Sequence, residues 1–333
     1  MMNSFGRLFH ISIFGESHGN SVGVTIDGCP AGLQIRESDF EIDLSRRRTG
    51  SPGTSPRKEA DLPRIMSGVF NDHTTGAPLT IIFENTNTRF KDYERFRDVP
   101  RPGHADFIAT QKFGGFEDFR GGGHFSGRLT LALVTAGVIA KKLVSPVDIS
   151  AKLIEAGGSE DIEKAIANAV ETRDSIGGIV ELVASGIPIG LGEPFFDSVE
   201  SLIAHIVFAI PAIKAIEFGS GFNAAKMNGS EHNDKFVAID GKTRTNYAGG
   251  INGGISNGND LVFRVAVKPT SSIPLGQLTM NMKSGVMTEL KIEGRHDLCI
   301  AIRVPVILEA VTAIVLADLM MLEQKIPGII KNN

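Results

Sequence analysis

Tryptophan is absent from this 333-residue sequence, and tyrosine and cysteine each occur only twice. Aromatic residues make up 7% of the chain and hydrophobic residues 42%, so we expect a core built mainly from aliphatic side chains. The two cysteines, Cys29 and Cys299, have no CxxC or zinc-ligand spacing, which predicts reduced, buried or half-buried thiols in a cytoplasmic protein without a metal site. The formal net charge of −4 gives no electrostatic reason to expect a nucleic-acid partner.

Long uninterrupted hydrophobic runs are also missing. The first residues lack the basic and apolar segments of a secretory leader. The longest apolar stretch, residues 304–322, is interrupted by Pro305, Glu309 and Asp318, and we interpret it as an amphipathic or buried helix rather than a membrane span. A soluble chain with no membrane partner is therefore expected.

Hydrophobic periodicity predicts strands and helices in irregular alternation. Runs rich in β-branched residues predict strands at 8–14, 22–26, 65–70, 79–84, 176–185 and 260–267. Apolar residues at helical spacing predict helices at 37–48, with Ser38 as the cap, and at 129–143, 159–172, 199–209 and 307–322. This order favours the α+β class over a doubly wound parallel sheet. Because no repeat or linker divides the chain, we expect one domain over residues 1–333.

A first polar cluster is GESHG at 15–19, where a predicted strand ends. Glycines on both sides allow a sharp turn and close approach of the backbone to a ligand, and His18 can exchange protons near neutral pH. The same five residues satisfy the GxSxG pattern of serine hydrolases. However, a strand-like segment rather than a helix follows, which argues against a nucleophile elbow at Ser17.

Two further clusters lie in loops. The stretch 85–125 is too long and too polar for an ordinary connection and is expected to be functional, since it contains RPGHAD at 101–106 and RGGG at 120–123. Three glycines before a helix suit an anion, because backbone N–H groups and the helix N-terminus can hold it. The third cluster combines GRHD at 294–297 with KPTSS at 268–272, whose cation and hydroxyls suit a phosphate or a ring carbonyl.

Arginines concentrate around these clusters. They are Arg46, Arg47, Arg48, Arg57, Arg101, Arg120, Arg128, Arg295 and Arg303. A guanidinium group binds carboxylates and phosphates in bidentate fashion and stays charged when desolvated. In a slightly acidic protein, this distribution indicates a small polyanionic substrate.

The clusters belong to a longer series of motifs that covers nearly the whole chain. In chain order they are FGESHG at 14–19, RRR at 46–48, SGVF at 67–70, TTG at 74–76, EN at 84–85, KDY at 91–93, RPGHAD, RGGG, DSIGG at 174–178, GLGEP at 190–194, AGGI at 248–251, GGIS at 253–256, KPTSS and GRHD. This series resembles the chorismate synthase family. One departure is HFSGRLT at 124–130, where the family usually has RSSARET, so that His124 and Phe125 replace an arginine and a serine near the flavin.

The resemblance implies a β-α-β sandwich, with helices packed between two antiparallel four-stranded sheets, and usually a homotetramer. It implies conversion of 5-enolpyruvylshikimate 3-phosphate to chorismate by anti-1,4-elimination of phosphate, with reduced FMN as a cofactor that is regenerated in each turnover. The flavin would lend an electron to the substrate, and its N5 would receive the hydrogen. Because no dinucleotide fingerprint is evident, we expect an external flavin reductase rather than reduction of the flavin by the chain itself with NADPH.

The resemblance also implies roles for individual residues. His18 would protonate the departing phosphate, His104 would balance the protonation of the reduced flavin near N1, and Asp297 would help deprotonation near N5 through Ser17 or Ser126. Four arginines would clamp the phosphate and carboxylates of the substrate: Arg48, Arg57, Arg101 and Arg128. The FMN site would be lined by Ser126, Ala212, Gly253, Lys268, Pro269, Thr270, Ser271, Ser272 and Arg295.

Two other functions stay open on the residues alone. One is a serine hydrolase that uses Ser17, His104 and Asp297. The other is a non-catalytic protein that binds an anion or a nucleotide, since the altered segment 124–127 could weaken flavin binding.

Overall fold

The computed structural model describes residues 3–48, 50, 53–54, 60–86, 93–292 and 296–331 of the chain. Two residues predicted to bind ligands, Arg57 and Arg295, lie outside the described residues.

The described residues form strands and helices along the whole chain. The strands are β1 (Ser4–Phe5), β2 (His10–Gly15), β3 (Ser21–Asp27), β4 (Arg64–Ser67), β5 (Val69–Phe70), β6 (His73–Thr74), β7 (Leu79–Glu84), β8 (Asp148–Ala156), β9 (Gly178–Ser185), β10 (Ile213–Phe218), β11 (Ile251–Asn252), β12 (Ile255–Ser256), β13 (Leu261–Val267), β14 (Gln277–Asn281) and β15 (Val286–Leu290). The helices are α1 (Glu41–Arg47), α2 (Asp106–Phe113), α3 (Thr130–Val144), α4 (Ile162–Thr172), α5 (Val199–Val207), α6 (Gly229–His232) and α7 (Val304–Leu322). Short 3-10 helices cover Glu37–Phe40, Glu94–Arg97, Gly127–Leu129, Phe195–Asp197, Gly221–Lys226 and Ile300–Arg303, and the segment Arg120–Phe125 forms turns with non-helical backbone angles at its three glycines.

Two antiparallel sheets contain most of the longer strands. The first has the order β1-β2-β3-β7-β4 and the second the order β10-β13-β9-β8. Side chains on a strand alternate between the two faces of its sheet, and strand β13 follows this rule by burying Leu261, Phe263, Val265 and Val267. The pairs β5-β6, β11-β12 and β14-β15 form separate two-stranded sheets.

Helices α3 and α7 pack against each other, and each also covers a sheet. Helix α3 contacts β3 of the first sheet, and α7 contacts β8 and β9 of the second. Nearly every residue of both helices is buried, as expected for helices that are covered on all sides. The two helices approach closely because residue 137 of α3 is glycine: a Cβ atom there would lie 2.5 Å from the Cα of Ala310 on α7.

Helix α7 confirms the buried alternative predicted for residues 304–322. Together with the preceding 3-10 turn it forms the segment Ile300–Leu322, which is long and apolar enough to cross a membrane. However, 78% of its most apolar window is buried inside the protein, and the helix packs on the second sheet. It is therefore explained as a core helix.

The two carboxylates of α7 are buried and engaged by hydrogen bonds. Asp318, 4% exposed, accepts the backbone N–H groups of residues 7–9 at 2.7–3.0 Å and ties the N-terminal segment to the core. Glu309, 3% exposed, accepts hydrogen bonds from Arg46 at 2.6 and 2.7 Å and from Lys141 at 2.9 Å. Burial alone would raise the pKa of Glu309, but its hydrogen bonds to these two cations lower that pKa below its usual range.

The α+β class and the antiparallel sheets agree with the sequence prediction, whereas several details differ. The first sheet has five strands rather than four, because Ser4–Phe5 pairs with β2 as an additional edge strand. The helix predicted at 37–48 divides into a 3-10 turn and α1, and its first turn is capped by Asp39, which accepts the N–H of Arg36, rather than by Ser38.

Some elements were not predicted at all. Strand β8 was missed although its first six residues alternate between exposed and half-buried, because the alternation is short and its exposed residues Asp148, Ser150 and Lys152 are not typical of strands. Helix α2 was missed because it has little amphipathic periodicity: Ala109 is its only buried residue. Strand β10 and the β14-β15 hairpin were missed as well.

We expect Gly137→Ala to lower the free energy of unfolding by about 1–3 kcal/mol, because the added methyl group overpacks the contact between α3 and α7 at Ala310. The matched control is Gly229→Ala, which adds the same group at the start of α6, where no atom lies within 4 Å. Urea unfolding of both variants measures the difference. Equal unfolding free energies would contradict close packing of the two helices.

Candidate functional site

A cavity of about 700 Å³ opens where the N-terminal ends of α2, α3 and α7 meet the C-terminal end of α1. Its volume lies within the range of about 300–1,000 Å³ that is usual for ligand sites. Residues from several separate segments line it: 47–48, Asp61, 103–108, 121–130, 210–212, 268–272 and 296–307.

Most of the predicted site residues that the structure describes line this cavity. They are Arg48, His104, Ser126, Arg128, Ala212, Lys268, Pro269, Thr270, Ser271, Ser272 and Asp297. Three others, Ser17, His18 and Arg101, lie behind the lining and contact residues that belong to it. Gly253 is not among the lining residues, because it lies in the tight turn between β11 and β12, where its φ of 61° requires a glycine-like conformation.

The lining of the cavity has an excess of positive charge. Among the described residues, four arginines and one lysine face two carboxylates, Asp61 and Asp297. Asp61 divides its two oxygens between two guanidinium groups, at 3.2 Å from Arg47 Nη1 and 2.9 Å from Arg128 Nη1. Asp297 accepts a hydrogen bond of 3.2 Å from Arg303. The carboxylates therefore do not neutralise the cations that surround them.

The positive charge of Arg47 is destabilised by burial and by neighbouring cations. Its side chain is 3% exposed, and it donates to Asp61, to the hydroxyl of Thr130 and to the backbone oxygen of Arg128. Burial and the nearby charge of Arg303 lower the pKa of Arg47 to about 9, against the opposite effect of Asp61. Since buried like charges repel one another, a polyanion bound in the cavity would stabilise the cluster.

Two of the lining arginines have a buried nitrogen without a hydrogen-bond partner in the described part of the chain. Arg128 donates from Nε to Asn85 at 2.5 Å and from Nη1 to Asp61, but its Nη2 has no partner. Arg48 donates from Nη1 and Nη2 to Glu41 at 2.7 and 3.1 Å, and its Nε has no partner. Because unsatisfied buried donors are unfavourable, these nitrogens are candidate contacts for an anionic ligand.

His104 is held by the carboxylate of Asp106, for which no role was predicted from the sequence. Its Nδ1 lies 2.7 Å from Asp106 Oδ1, and the same carboxylate accepts hydrogen bonds of 2.7 and 2.8 Å from Arg101. Arg101 Nη2 also lies 3.1 Å from Nδ1, but because a guanidinium group cannot accept a hydrogen bond, we assign the Nδ1 proton to the shorter contact with Asp106. Burial would raise the pKa of Asp106, yet its hydrogen bonds from Arg101 and His104 hold that pKa well below its usual range.

The glycine-rich loop brings the GESHG turn close to the cavity. Gly121, Gly122 and Gly123 all have positive φ, at 59°, 80° and 52°. A Cβ atom on Gly121, which lines the cavity, would collide with the ring of His18 and would lie 2.9 Å from the hydroxyl oxygen of Ser17. His18, 5% exposed, and Ser17 thus lie directly behind this glycine.

The KPTSS loop is joined by hydrogen bonds to the other loops around the cavity. Ser271 donates to the backbone oxygen of Gly103 at 2.7 Å, and Arg101 donates to the hydroxyl of Ser272 at 3.0 Å. Thr270 donates to the backbone oxygen of Asp297 at 2.6 Å. The described segments 101–106, 268–272 and 296–297 therefore form one wall.

The two residues that differ from the family pattern, His124 and Phe125, lie in different environments. The ring of His124 donates from Nδ1 to the backbone oxygen of Gly15 at 2.8 Å and approaches Asn3 at 3.2 Å, so that it contacts the N-terminal segment. Phe125 lines the cavity and lies 6.2 Å from the ring of Phe113. An aromatic side chain thus occupies part of the wall where the family usually has a serine.

For several residues of the site, no individual role was predicted from the sequence. They are Arg47, Asp61, Asn85, Asp106, Phe125 and Arg303. Arg47 and Asp106 could have been predicted from the sequence. Both are charged residues of the RRR and RPGHAD motifs and lie next to or near residues that were predicted to belong to the site. Asn85 belongs to the EN motif at 84–85, but no role was predicted for it, and Asp61 lies in no motif; only the fold brings both residues to Arg128.

Comparisons with known proteins agree on one family. A family model described as chorismate synthase matches residues 9–321. A chorismate synthase of Chitinophaga pinensis is 65% identical over 332 residues, which cover 99% of this chain and all of the relative. A chorismate synthase of Methanocaldococcus jannaschii is 42% identical, with 96% of each chain covered.

A solved structure agrees with the fold. A crystal structure of chorismate synthase, 24% identical in sequence, superposes with a TM-score of 0.72 and covers 96% of this chain and 93% of its own. Taken with the family model and the close relatives in sequence, the chain belongs to the chorismate synthase family, and it is a lyase of that activity.

Proposed function

We propose that the cavity is the active site of the chorismate synthase reaction and that it binds reduced FMN together with 5-enolpyruvylshikimate 3-phosphate. The observation that carries this proposal is the excess of fixed cations in a cavity that also has an apolar wall. The cations suit the phosphate and the two carboxylates of the substrate, and the apolar side chains suit a flat ring system.

The residues present fit a flavin. The side chains of Ile108, Phe125, Ile300 and Ile307 offer apolar surface, while the hydroxyl-rich loop 268–272 offers polar contacts. A reduced flavin held by these residues would supply the electron that the elimination needs and would regain it, without net redox change.

Arg48 and Arg128 are the proposed direct ligands of the substrate's anionic groups, because each keeps one buried nitrogen without a partner among the described residues. For Arg101 we propose a positioning role instead of the direct contact expected from the resemblance. Its side chain is 5% exposed, and its nitrogens donate to Asp106 and Ser272. Arg101 thereby holds Asp106 against His104.

His104 is the proposed residue for proton balance at the reduced flavin. Since Nδ1 donates to Asp106, the remaining ring nitrogen, Nε2, is left for proton exchange on the cavity side. We propose that His18, behind Gly121, protonates the departing phosphate, and that Asp297 takes part in proton removal with Ser17 or Ser126. A serine hydrolase with the triad Ser17, His104 and Asp297 is disfavoured, because the carboxylate at His104 is Asp106.

The proposal also covers the arrangement of layers in the fold, the oligomeric state, the cellular location and the source of reduced FMN. We propose a single domain in which α3 and α7 form the layer between the two sheets. One continuous apolar core that contains residues near both ends of the chain, such as Phe9 and Ile326, supports it. We also propose a cytoplasmic homotetramer that receives reduced FMN from an external reductase, in line with the family relation.

We expect the purified protein to release phosphate from 5-enolpyruvylshikimate 3-phosphate under anaerobic conditions when FMN has been reduced chemically. With oxidised FMN alone and no reductant, phosphate release should be absent, because the substrate then receives no electron. Sustained release with oxidised FMN would contradict the proposed chemistry. No release with reduced FMN would identify a non-catalytic member of the family.

Arg48→Ala should raise the dissociation constant of the substrate about 10- to 100-fold, because a hydrogen bond to a charged group contributes about 1.5–3 kcal/mol. The dissociation constant of FMN should change far less. Calorimetric titration measures both, and Arg36→Ala, which removes a surface arginine paired with Asp72 at 2.8 Å, is the matched control. Unchanged substrate affinity in Arg48→Ala would remove this arginine from the site.

His104→Ala should lower kcat by about 10²- to 10⁴-fold, the usual contribution of a proton-transferring side chain. Its thermal unfolding should stay close to that of the native protein, since the ring is partly exposed at the cavity. The control is His205→Ala, which removes a ring that packs edge-on against Phe5, 5.4 Å between centroids. If His104→Ala turned over at the native rate, His104 would have no part in the mechanism.

A further inference from the structure

Asn85, which follows strand β7, connects two parts of the site that come from distant segments of the chain. Its amide nitrogen donates to the backbone oxygens of Glu16 and Gly19 at 3.0 and 2.8 Å. Its amide oxygen accepts the Nε–H of Arg128 at 2.5 Å. One side chain thus holds both ends of the turn that contains His18 and also contacts an arginine of the cavity.

The contact with Asn85 determines where Arg128 points. A guanidinium group is planar and rigid, so that fixing two of its nitrogens also fixes the direction of the third. Asn85 holds Nε and Asp61 holds Nη1, which leaves Nη2 as the remaining donor, buried and without a partner among the described residues. Arg128 is 8% exposed and lines the cavity.

An amide at position 85 differs from a carboxylate in one respect that matters here. Either group could accept the Nε–H of Arg128, but a carboxylate would also cancel its charge. Asp61 already compensates part of the charge of Arg47 and Arg128. Asn85 therefore orients the guanidinium group while leaving its positive charge available to an anion.

We infer that Asn85 is a positioning residue for substrate binding: it aims Arg128 Nη2 at an anionic group of the substrate and ties that arginine to the Glu16–Gly19 turn. The inference rests on the proposed function, since it takes Arg128 as a ligand of the substrate. Asn85 itself does not line the cavity and contacts the substrate only through Arg128.

A double-mutant cycle tests this inference. The dissociation constant of 5-enolpyruvylshikimate 3-phosphate is measured by calorimetric titration of the native protein, Asn85→Ala, Arg128→Ala and the double variant. We expect Asn85→Ala to raise the constant about tenfold in the native background, as the loss of one hydrogen bond to a charged group allows. In the Arg128→Ala background it should raise the constant less than about twofold, because the residue through which it acts is gone.

The outcomes separate the two proposals. Equal effects of Asn85→Ala in both backgrounds, or no effect in the native background, overturn the positioning role. In that case a loss of affinity in Arg128→Ala still supports the proposed function. If Arg128→Ala binds the substrate as well as the native protein does, Arg128 is not a ligand, and both proposals for this residue are overturned.

The matched control is Asn246→Ala, which removes another amide that bridges two backbone groups. Asn246 donates to the backbone oxygen of Asp260 at 2.7 Å and accepts the N–H of Gly250 at 2.8 Å, away from the cavity. Its loss should lower stability without changing substrate affinity. If Asn85→Ala does not fold, Asn85→Ser takes its place in the cycle. The serine side chain is polar but too short to contact Arg128, and the same outcomes apply.

Discussion

A surplus of positive charge in one cavity is the constraint on which the rest of the site depends. Arginine side chains lose hydration when they are buried, and they repel one another unless anions lie nearby. The lining provides five cations and two carboxylates among its described residues, and Glu41 adds a third carboxylate by pairing with Arg48 from outside the lining, so the remaining positive charge favours an anionic ligand. The lowered pKa of Arg47 reflects this situation within the protein itself.

The two buried carboxylates of helix α7 have protein partners. Glu309 is matched by Arg46 and Lys141, and Asp318 accepts the backbone N–H groups of residues 7–9. These contacts keep helix α7 in the core although its sequence contains two carboxylates. Other buried side-chain atoms of the described residues also lack a partner, such as Glu200 Oε2 and Gln277 Nε2, but Arg48 Nε and Arg128 Nη2 belong to cations that line the cavity, where an anionic substrate can supply the acceptor.

The fold holds these arginines through loops that come from distant parts of the chain. Helices α3 and α7 touch at Gly137 and Ala310, and their N-terminal ends therefore open beside each other. Hydrogen bonds from Ser271 to the backbone of Gly103 and from Thr270 to the backbone of Asp297 then join the surrounding loops. The loops around the cavity are therefore held by a network of hydrogen bonds rather than by any single element.

The sequence was informative wherever the chemistry lay within a short motif. KPTSS and RPGHAD identified wall residues such as His104, because their residue types already suggest anion binding and proton transfer. Asp61 lies in no motif, and the EN motif at 84–85 predicted no role for Asn85, since both residues become important only where the fold brings them to Arg128. Strand β8 was not predicted because its alternation covers only six residues and includes Asp148 and Lys152, which are not typical of strands; its full-length pairing with β9 is visible only in the structure.

A crystal structure of the protein with FMN and 5-enolpyruvylshikimate 3-phosphate is the most direct test of the central claim. The account predicts that the anionic groups of the substrate lie within about 3 Å of Arg128 Nη2 and Arg48 Nε, the distance of a charge-assisted hydrogen bond. A substrate bound elsewhere, with these two nitrogens still lacking an anionic partner, would contradict it.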